Sequence, residues 1–339
     1  MDAVHTVTVG RRAMACEFEV IFNILDNDQA TSWGVEALDQ VDAIEDRITV
    51  YRSTSELARL NARAAGGWQP VSDELFSLLL LARDLYERTG GAFDVTAGPL
   101  IRAWGFLERR GRWPSPAELA GARQCCGMEL VDFDEQQQRI RFRRVGVEIN
   151  LGAIGKGWAI DRAIELVTAG GLADVLIHGG HSSLRASGSR GLPNTAGSGS
   201  GWPVGLRHPL RPGDRLGAVA VENQALGTSG SGTQFFIHQG KKIGHILDPR
   251  SGEPTQGVLS ATVLAPTAAE ADALATAAYV LGPEAVDRIA PAGGPISAVL
   301  VLPGDRTNRL TVQLANLAPE RLQIAKNLRG LTIIPPKPA

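Results

Sequence analysis

Cysteine is scarce in this chain: three among 339 residues, two of them adjacent at Cys125 and Cys126. No paired disulfide framework can be read from that count, which favours a reducing compartment. A charge of one sign is missing too. Against 34 Lys and Arg stand 36 Asp and Glu, a formal net charge of -2, so nothing electrostatic points to nucleic acid or an anionic membrane as partner. No apolar run is long enough to span a bilayer. Finally, no export signal is visible. "RRAMAC" (11–16) ends in a small-residue–Cys pattern like a lipoprotein cleavage site, but the preceding "MDAVHTVTVG" lacks an apolar region and reads as a short alternating strand. The chain as given is expected to be soluble and cytoplasmic.

What is present is ordinary for a soluble globular protein, with 44% hydrophobic and 21% charged residues and enough length for a sizeable core. "HTVTV" and "CEFEVIF" read as strands. Val35, Leu38, Val41, Ile44 and Ile48 mark a helix. A second helix begins after Ser72 and ends at Gly90-Gly91, and "SPAE" (115–118) is a capping box with proline at the first helical position. "RIRFRRVGVEINL" reads as one strand, and a helix is expected from about Lys156 to Thr168. "DVLIHGG" and the segments 216–222, 234–238, 257–264 and 296–301 are further strands. Strands outnumber helices without strict alternation, which predicts α+β rather than doubly wound α/β. Residues 186–201, "ASGSRGLPNTAGSGSG", read as a mobile surface loop. We expect one domain over 1–302 and a C-terminal extension over 303–339.

Several segments carry groups that could do chemistry. In "LGAIGKGWAID" (151–161), Gly152, Gly155 and Gly157 surround Lys156 just before a helix. Unpartnered first-turn N–H groups and the helix dipole suit an anion such as a phosphate, and Lys156 adds a point charge. Equally, the glycines could serve only close packing of strand on helix. In "PTAAEADALATAAYVLG" (266–282), Thr267 and Glu270 form a capping box, and Asp272 and Thr276 share one face of an otherwise apolar helix. A hard cation such as Mg2+ would suit both oxygens; alternatively Asp272 complements the dipole and Thr276 is surface filler. "GHILDPRSGEP" (244–254) places His245 and Asp248 around an apolar pair before a turn, His245 as proton acceptor, phosphate contact or structural residue. "GTSGSGTQFF" (227–236), with Thr228 and Ser229, either bonds a ligand or turns the chain. Asp94 and Thr96 are the polar groups of "GAFDVTAGPL" (91–100), and Tyr51 could stack on a planar ligand or simply pack.

Taken in order, "MACEFEV", "YRSTSELARLN", "GAFDVTAGPL", "INLGAIGKGWAID", "LIHGG", "GWPVGLRHP", "GTSGSG", "HILDPRSGEP" and "ADALATAAYVLG" resemble the ApbE family of FAD:protein FMN transferases, from about Met14 to Gly282. The resemblance implies an α+β fold that binds FAD with Mg2+ at the pyrophosphate. Asp272, Thr276 and a backbone carbonyl, best matched to Ala153, would hold the metal. His245, with Asp248, would lie at the reaction centre and Tyr51 against the flavin. Met14, Asp94, Gly155, Lys156, Gly179, Gly180, Thr228 and Ser229 complete the implied FAD contacts. The implied reaction moves FMN from FAD to a threonine of a partner flavoprotein carrying a Ser/Thr-Gly-Ala-Ser/Thr-type motif, releasing AMP. Water in place of threonine would give an FAD pyrophosphatase, and loss of turnover a simple FAD-binding protein. His181 stands where the family more often carries Asp or Asn, and many relatives are exported.

Overall fold

The computed structural model describes residues 5–23, 29–191, 201–211, 213–230, 232, 234–306, 309–326 and 328–337. Residues 192–200, most of the loop expected at 186–201, lie outside the described residues. The architecture is α+β with a largely antiparallel main sheet, as the sequence predicts. Among the described residues no helix is long and apolar enough to cross a membrane. The chain forms two units, Met1–Glu45, Gly155–Ser229 and Gly257–Ala339 in the first, Asp46–Ile154 and Gly230–Gln256 in the second.

The first unit is built on a nine-stranded sheet whose spatial order repeats the chain order. It runs Thr6–Ala13, Cys16–Asn23, Val175–Gly179, Ser183–Ser187, Gln224–Gly230, Ser260–Ala265, Ser297–Pro303, Leu310–Ala315 and Leu331–Ile334. The last pair is parallel. Residues read as a C-terminal extension thus supply the final two strands of this sheet, and Leu322–Ile324 pairs with Arg215–Val221 in a separate three-stranded sheet. A core that includes Leu176, Leu184, Trp202, Leu216, Val299 and Val312 joins the two sheets, each side chain 6% exposed or less. Burial on that scale contributes roughly 1.5–3 kcal/mol per large side chain.

Helices Gly155–Ala169 and Ala268–Leu281 pack on each other and on strands of the main sheet. They approach closely enough that a Cβ at Gly157 would collide with the Ala268 backbone, and one at Gly227 with the backbone at Ala271. The packing explanation for Gly157 therefore holds. It does not exhaust that residue, whose amide has a second task described below.

The second unit carries helices Glu56–Arg63, Asp73–Thr89, Gly98–Ala103 and Pro116–Arg123, a small sheet and the hairpin Phe235–His238/Lys241–Gly244. Its helix ends follow the sequence signals. Ser72 accepts the Leu75 amide at 3.3 Å, Gly90 ends the same helix at φ 60°, and Ser115 and Glu118 cap reciprocally. The strand expected through "RIRFRRVGVEINL" spans only Arg139–Phe142. Gly146, at φ 96°, turns the chain where alternation alone suggested it would continue.

Candidate functional site

In the first unit, the site is assembled around the start of helix Ala268–Leu281. That start is held twice. Thr267 accepts the Glu270 amide at 3.3 Å, and Asp161 of the neighbouring helix accepts the amides of Ala268 and Ala269, each at 2.9 Å. Arg185 donates to Asp161 at 2.7 Å, so a carboxylate only 2% exposed has its charge balanced and its oxygens bonded.

One turn further along sits Asp272, 7% exposed, its Oδ2 accepting the Gly157 amide at 2.9 Å. Burial pushes its carboxyl above the usual range, opposed by nearby Lys156, by Ser183 and by that amide. The lysine ammonium donates to Ser182 Oγ at 2.7 Å and Ser183 Oγ at 2.9 Å. Thr276 Oγ1 donates to the Asp272 carbonyl at 3.2 Å and lies 3.0 Å from Ser229 Oγ. Thr228 is tied to the same group through its amide, 2.7 Å from the Ser182 carbonyl, and through its hydroxyl, 2.9 Å from that of Thr262. The structure thus brings Lys156, Thr228, Ser229, Asp272 and Thr276 together. One first-turn amide of the glycine-rich helix already serves a protein carboxylate, so the anion at that helix start is in part the chain's own.

The expected hard-cation site can be tested on its donors. Among the described residues no group of three or more His, Cys, Asp or Glu side chains could hold a metal ion. What exists is one buried carboxylate with the hydroxyls of Thr276 and Ser229, all hard oxygens. That set suits Mg2+, which keeps near-octahedral oxygen coordination from one or two carboxylates plus substrate phosphates. The residues fit.

Two backbone features border this group. Met14 and Ala15, at φ 48° and 61°, form the two-residue turn between the first two strands, with Ala13 opposite Cys16. Such turns favour Asn-Gly, so two side chains in the left-handed region are a local strain. The Met14 amide donates to Glu45 at 2.6 Å. Gly179 and Gly180 lead into a second tight turn, the Gly180 amide bonding the Glu17 carbonyl at 2.8 Å. His181 follows at φ 59° and stacks on His178 at 5.2 Å. Histidine shares with Asn and Asp a tolerance of that backbone region, which rationalises its presence there. His178 pairs with Glu19 at 2.7 Å, and burial lowers its pKa despite that carboxylate.

The remaining expected residues belong to the second unit. The His245 amide bonds the Gln234 carbonyl at 3.2 Å, and its Nδ1 lies 3.1 Å from the same oxygen. A carbonyl only accepts, so the proton is assigned to Nδ1 and Nε2 is the basic nitrogen. Phe106 meets the ring edge-on at 6.3 Å. The Asp248 carboxylate is gripped by Arg250 at 2.7 and 2.8 Å. Burial raises its pKa, the arginine outweighs burial, and the net direction is down. Asp94 accepts the Thr96 amide at 2.8 Å and hydroxyl at 2.6 Å, yet burial pushes its carboxyl up to about 6. It lines a cavity of about 450 Å3 with Tyr86, Arg123, Cys126, Glu129 and Arg250. Tyr51 is 68% exposed, so it does not serve as packing. Ala153 lies in the turn before the glycine-rich helix, where the Ile154 amide bonds the Leu151 carbonyl at 3.1 Å. Sequence reasoning missed Asp161, Arg185, Ser182, Ser183 and Glu45. Only Asp161 stood within a quoted motif, and nothing local announced its distant amide partners.

Residues 4–300 match the family model described as ApbE family. The chain is 28% identical over 288 residues to the FAD:protein FMN transferase of Klebsiella pneumoniae (strain 342), covering 83% of this chain and 80% of that protein. It is 32% identical over 245 residues to the FAD:protein FMN transferase of Treponema pallidum (strain Nichols), covering 70% and 68%. Its fold is similar to the crystal structure of an ApbE protein from Thermotoga maritima, with TM-score 0.78, 26% identity and coverage of 88% and 94%.

Proposed function

The chain belongs to the ApbE family, and on that footing we propose that, as an FAD:protein FMN transferase, it moves FMN from FAD to a threonine hydroxyl of an acceptor flavoprotein in a Mg2+-dependent reaction. The threonine oxygen forms a bond to the FMN-side phosphorus. The bond from that phosphorus to the bridging oxygen breaks, and AMP leaves with the oxygen. The threonine proton passes to a base.

In the first unit, Asp272 and Thr276 are the groups that would hold the cation. Bound there, Mg2+ supplies Lewis-acid neutralisation of diphosphate charge. Lys156, fixed by Ser182 and Ser183, adds a positive charge that needs no reorganisation during the reaction. Gly157 orients the Asp272 carboxylate. In the second unit, His245 would accept the threonine proton at Nε2, the Gln234 carbonyl holding its tautomer. Asp248, held by Arg250, would act through the turn that follows His245 rather than as a proton acceptor. The Ala153 carbonyl remains the proposed third protein ligand to the cation, and Tyr51, Met14, Asp94, Gly155, Gly179 and Gly180 the proposed FAD contacts. Most of the rate would come from positioning and electrostatics.

The observation that carries this reading is Asp272: a buried carboxylate on an otherwise apolar helix, bonded to a backbone amide, close to a lysine and one turn from a hydroxyl. The test incubates the protein with FAD, Mg2+ and an acceptor domain carrying the Ser/Thr-Gly-Ala-Ser/Thr motif, then reads the acceptor's intact mass and AMP. A gain of one FMN unit that chelator abolishes is the expected result. AMP and free FMN without acceptor modification would make the protein a pyrophosphatase, and uncleaved bound FAD a binding protein.

A further inference from the structure

The hairpin Phe235–His238/Lys241–Gly244 is a two-stranded sheet, with no third strand among the described residues. Its inner side chains are accounted for. Phe236 packs with Trp104 and Phe106, and His238 stacks on Trp113 at 4.6 Å and 21°. Ile243 belongs to the same buried cluster. Its outer face has no such explanation. Strand alternation sends Phe235 and Ile237 to the other side, where they are 46% and 62% exposed. Lys242, directly across from Ile237, lays its ammonium over the Phe235 ring at 4.2 Å.

Charge gathers here against the sign of the whole chain. Lys241 and Lys242 are exposed, and so are Arg109 and Arg110, in a loop whose Gly111 abuts the Phe236 ring. Among the described residues none of these four forms an ion pair, whereas the nearby Arg102 and Arg112 are matched by Glu108 and Glu118. A protein of net charge -2 thus presents the apolar pair Phe235 and Ile237 on a hairpin that carries two exposed lysines without an ion pair among the described residues. The strand Lys241–Gly244 runs directly into His245, whose amide is bonded to Gln234 at the foot of the opposite strand. Whatever sits on the hairpin is held beside the proposed base.

We propose that this hairpin face docks an acidic segment of the FMN-accepting protein, a statement that rests on the transferase reading above. Charge complementarity selects that occupant. A second copy of this chain would set the same cations against themselves, and like charges across an interface oppose association. Phe235 and Ile237 would provide apolar area at the centre, the two lysines steering and register.

The test uses the full chain and two fluorescein-labelled peptides centred on a Ser/Thr-Gly-Ala-Ser/Thr segment, one flanked by Asp and Glu, the other by Lys. Fluorescence anisotropy should show the acidic peptide binding on the order of tenfold more tightly at low salt, with the difference shrinking as salt rises. Lys241→Glu/Lys242→Glu should abolish that preference, and Ile237→Ser should weaken the acidic peptide alone, while FAD affinity stays at the wild-type value in both. Equal binding of the two peptides, or binding indifferent to the variants, would overturn the docking proposal and leave the transferase reading intact if FMN transfer persists. No FMN transfer by the wild type to any threonine acceptor would remove the reading and the docking proposal with it. Sedimentation showing a wild-type dimer that Ile237→Ser dissociates would assign the face to self-association instead.

Discussion

Asp272 in the first unit and Asp94 in the second are both carboxylates drawn out of water, and burial raises both above the ordinary aspartate value. They differ in what opposes that rise. Asp272 has a lysine close by and a backbone amide bonded to its Oδ2. Asp94 has a threonine hydroxyl and amide, while Glu129 raises it further. The first arrangement accommodates an anion, as the proposed cation site would require; the second keeps its proton until about pH 6. Burial alone does not define a functional carboxylate. The charge of the neighbours decides which task it can take.

The largest effect should come from removing the Asp272 charge. Asp272→Asn preserves shape and can still accept the Gly157 amide, so the fold should survive. FMN transfer should nevertheless fall on the order of 10^3-fold, read as AMP release at saturating FAD and Mg2+. A fall of less than tenfold would put the cation elsewhere. Next, Asp161→Ala removes the group that fastens two helices and leaves Arg185 without its partner. We expect a loss of about 3 kcal/mol in urea unfolding, with Asp161→Asn costing less because it can still accept one helix amide. Identical midpoints for wild type and Asp161→Ala would show that the Thr267 cap suffices.

Lys156→Gln should lower kcat/KM for FAD by roughly tenfold, through loss of a positive charge beside the diphosphate. Rescue by Lys156→Arg would be incomplete, since the serine pair suits a compact ammonium. The smallest effect concerns Asp94 and pH. Its folded value, about 6, lies above the ordinary aspartate value of 3.8, so the folded state binds the proton more tightly. Stability from this group is full below the unfolded value, is lost as pH rises from about 4 through about 6, and stays lower beyond. Wild-type Tm should therefore carry a falling component in that window, which Asp94→Asn should lack. Parallel Tm profiles for the two proteins would contradict the raised value.

Local signals served well wherever the physics is local. Ser72, Ser115 and Thr267 start helices where capping places them, and Asp272 with Thr276 could be read as one helix face because four residues make about one turn. Gly157 left packing and ligand binding open; its missing side chain allows the close packing against Ala268, and its amide bonds the chain's own Asp272 carboxylate. Long-range partners were invisible. The bonds from Asp161 to Ala268 and Ala269 join positions 107 and 108 residues apart, and no periodicity encodes them. The Met14–Ala15 turn was hidden for a different reason: it carries neither Gly nor Asn, and its strain is tolerated by surrounding strand pairing rather than announced by composition. The last two sheet strands were obscured by the Pro-rich tail beyond them.

The coincidence of chain order and spatial order in the main sheet has a bearing on synthesis. A ribosome releases Thr6–Ala13 first and Leu331–Ile334 last, and each intervening strand finds its place at the one growing margin of what already exists. No strand must be threaded between two already joined. The margin does stay open for a long stretch of translation, because about half the chain separates Cys16–Asn23 from its next neighbour, Val175–Gly179. The nascent hairpin waits with the Cys16–Asn23 edge unpaired while the bulk of the second unit is made, and that interval is when a holding chaperone would matter most.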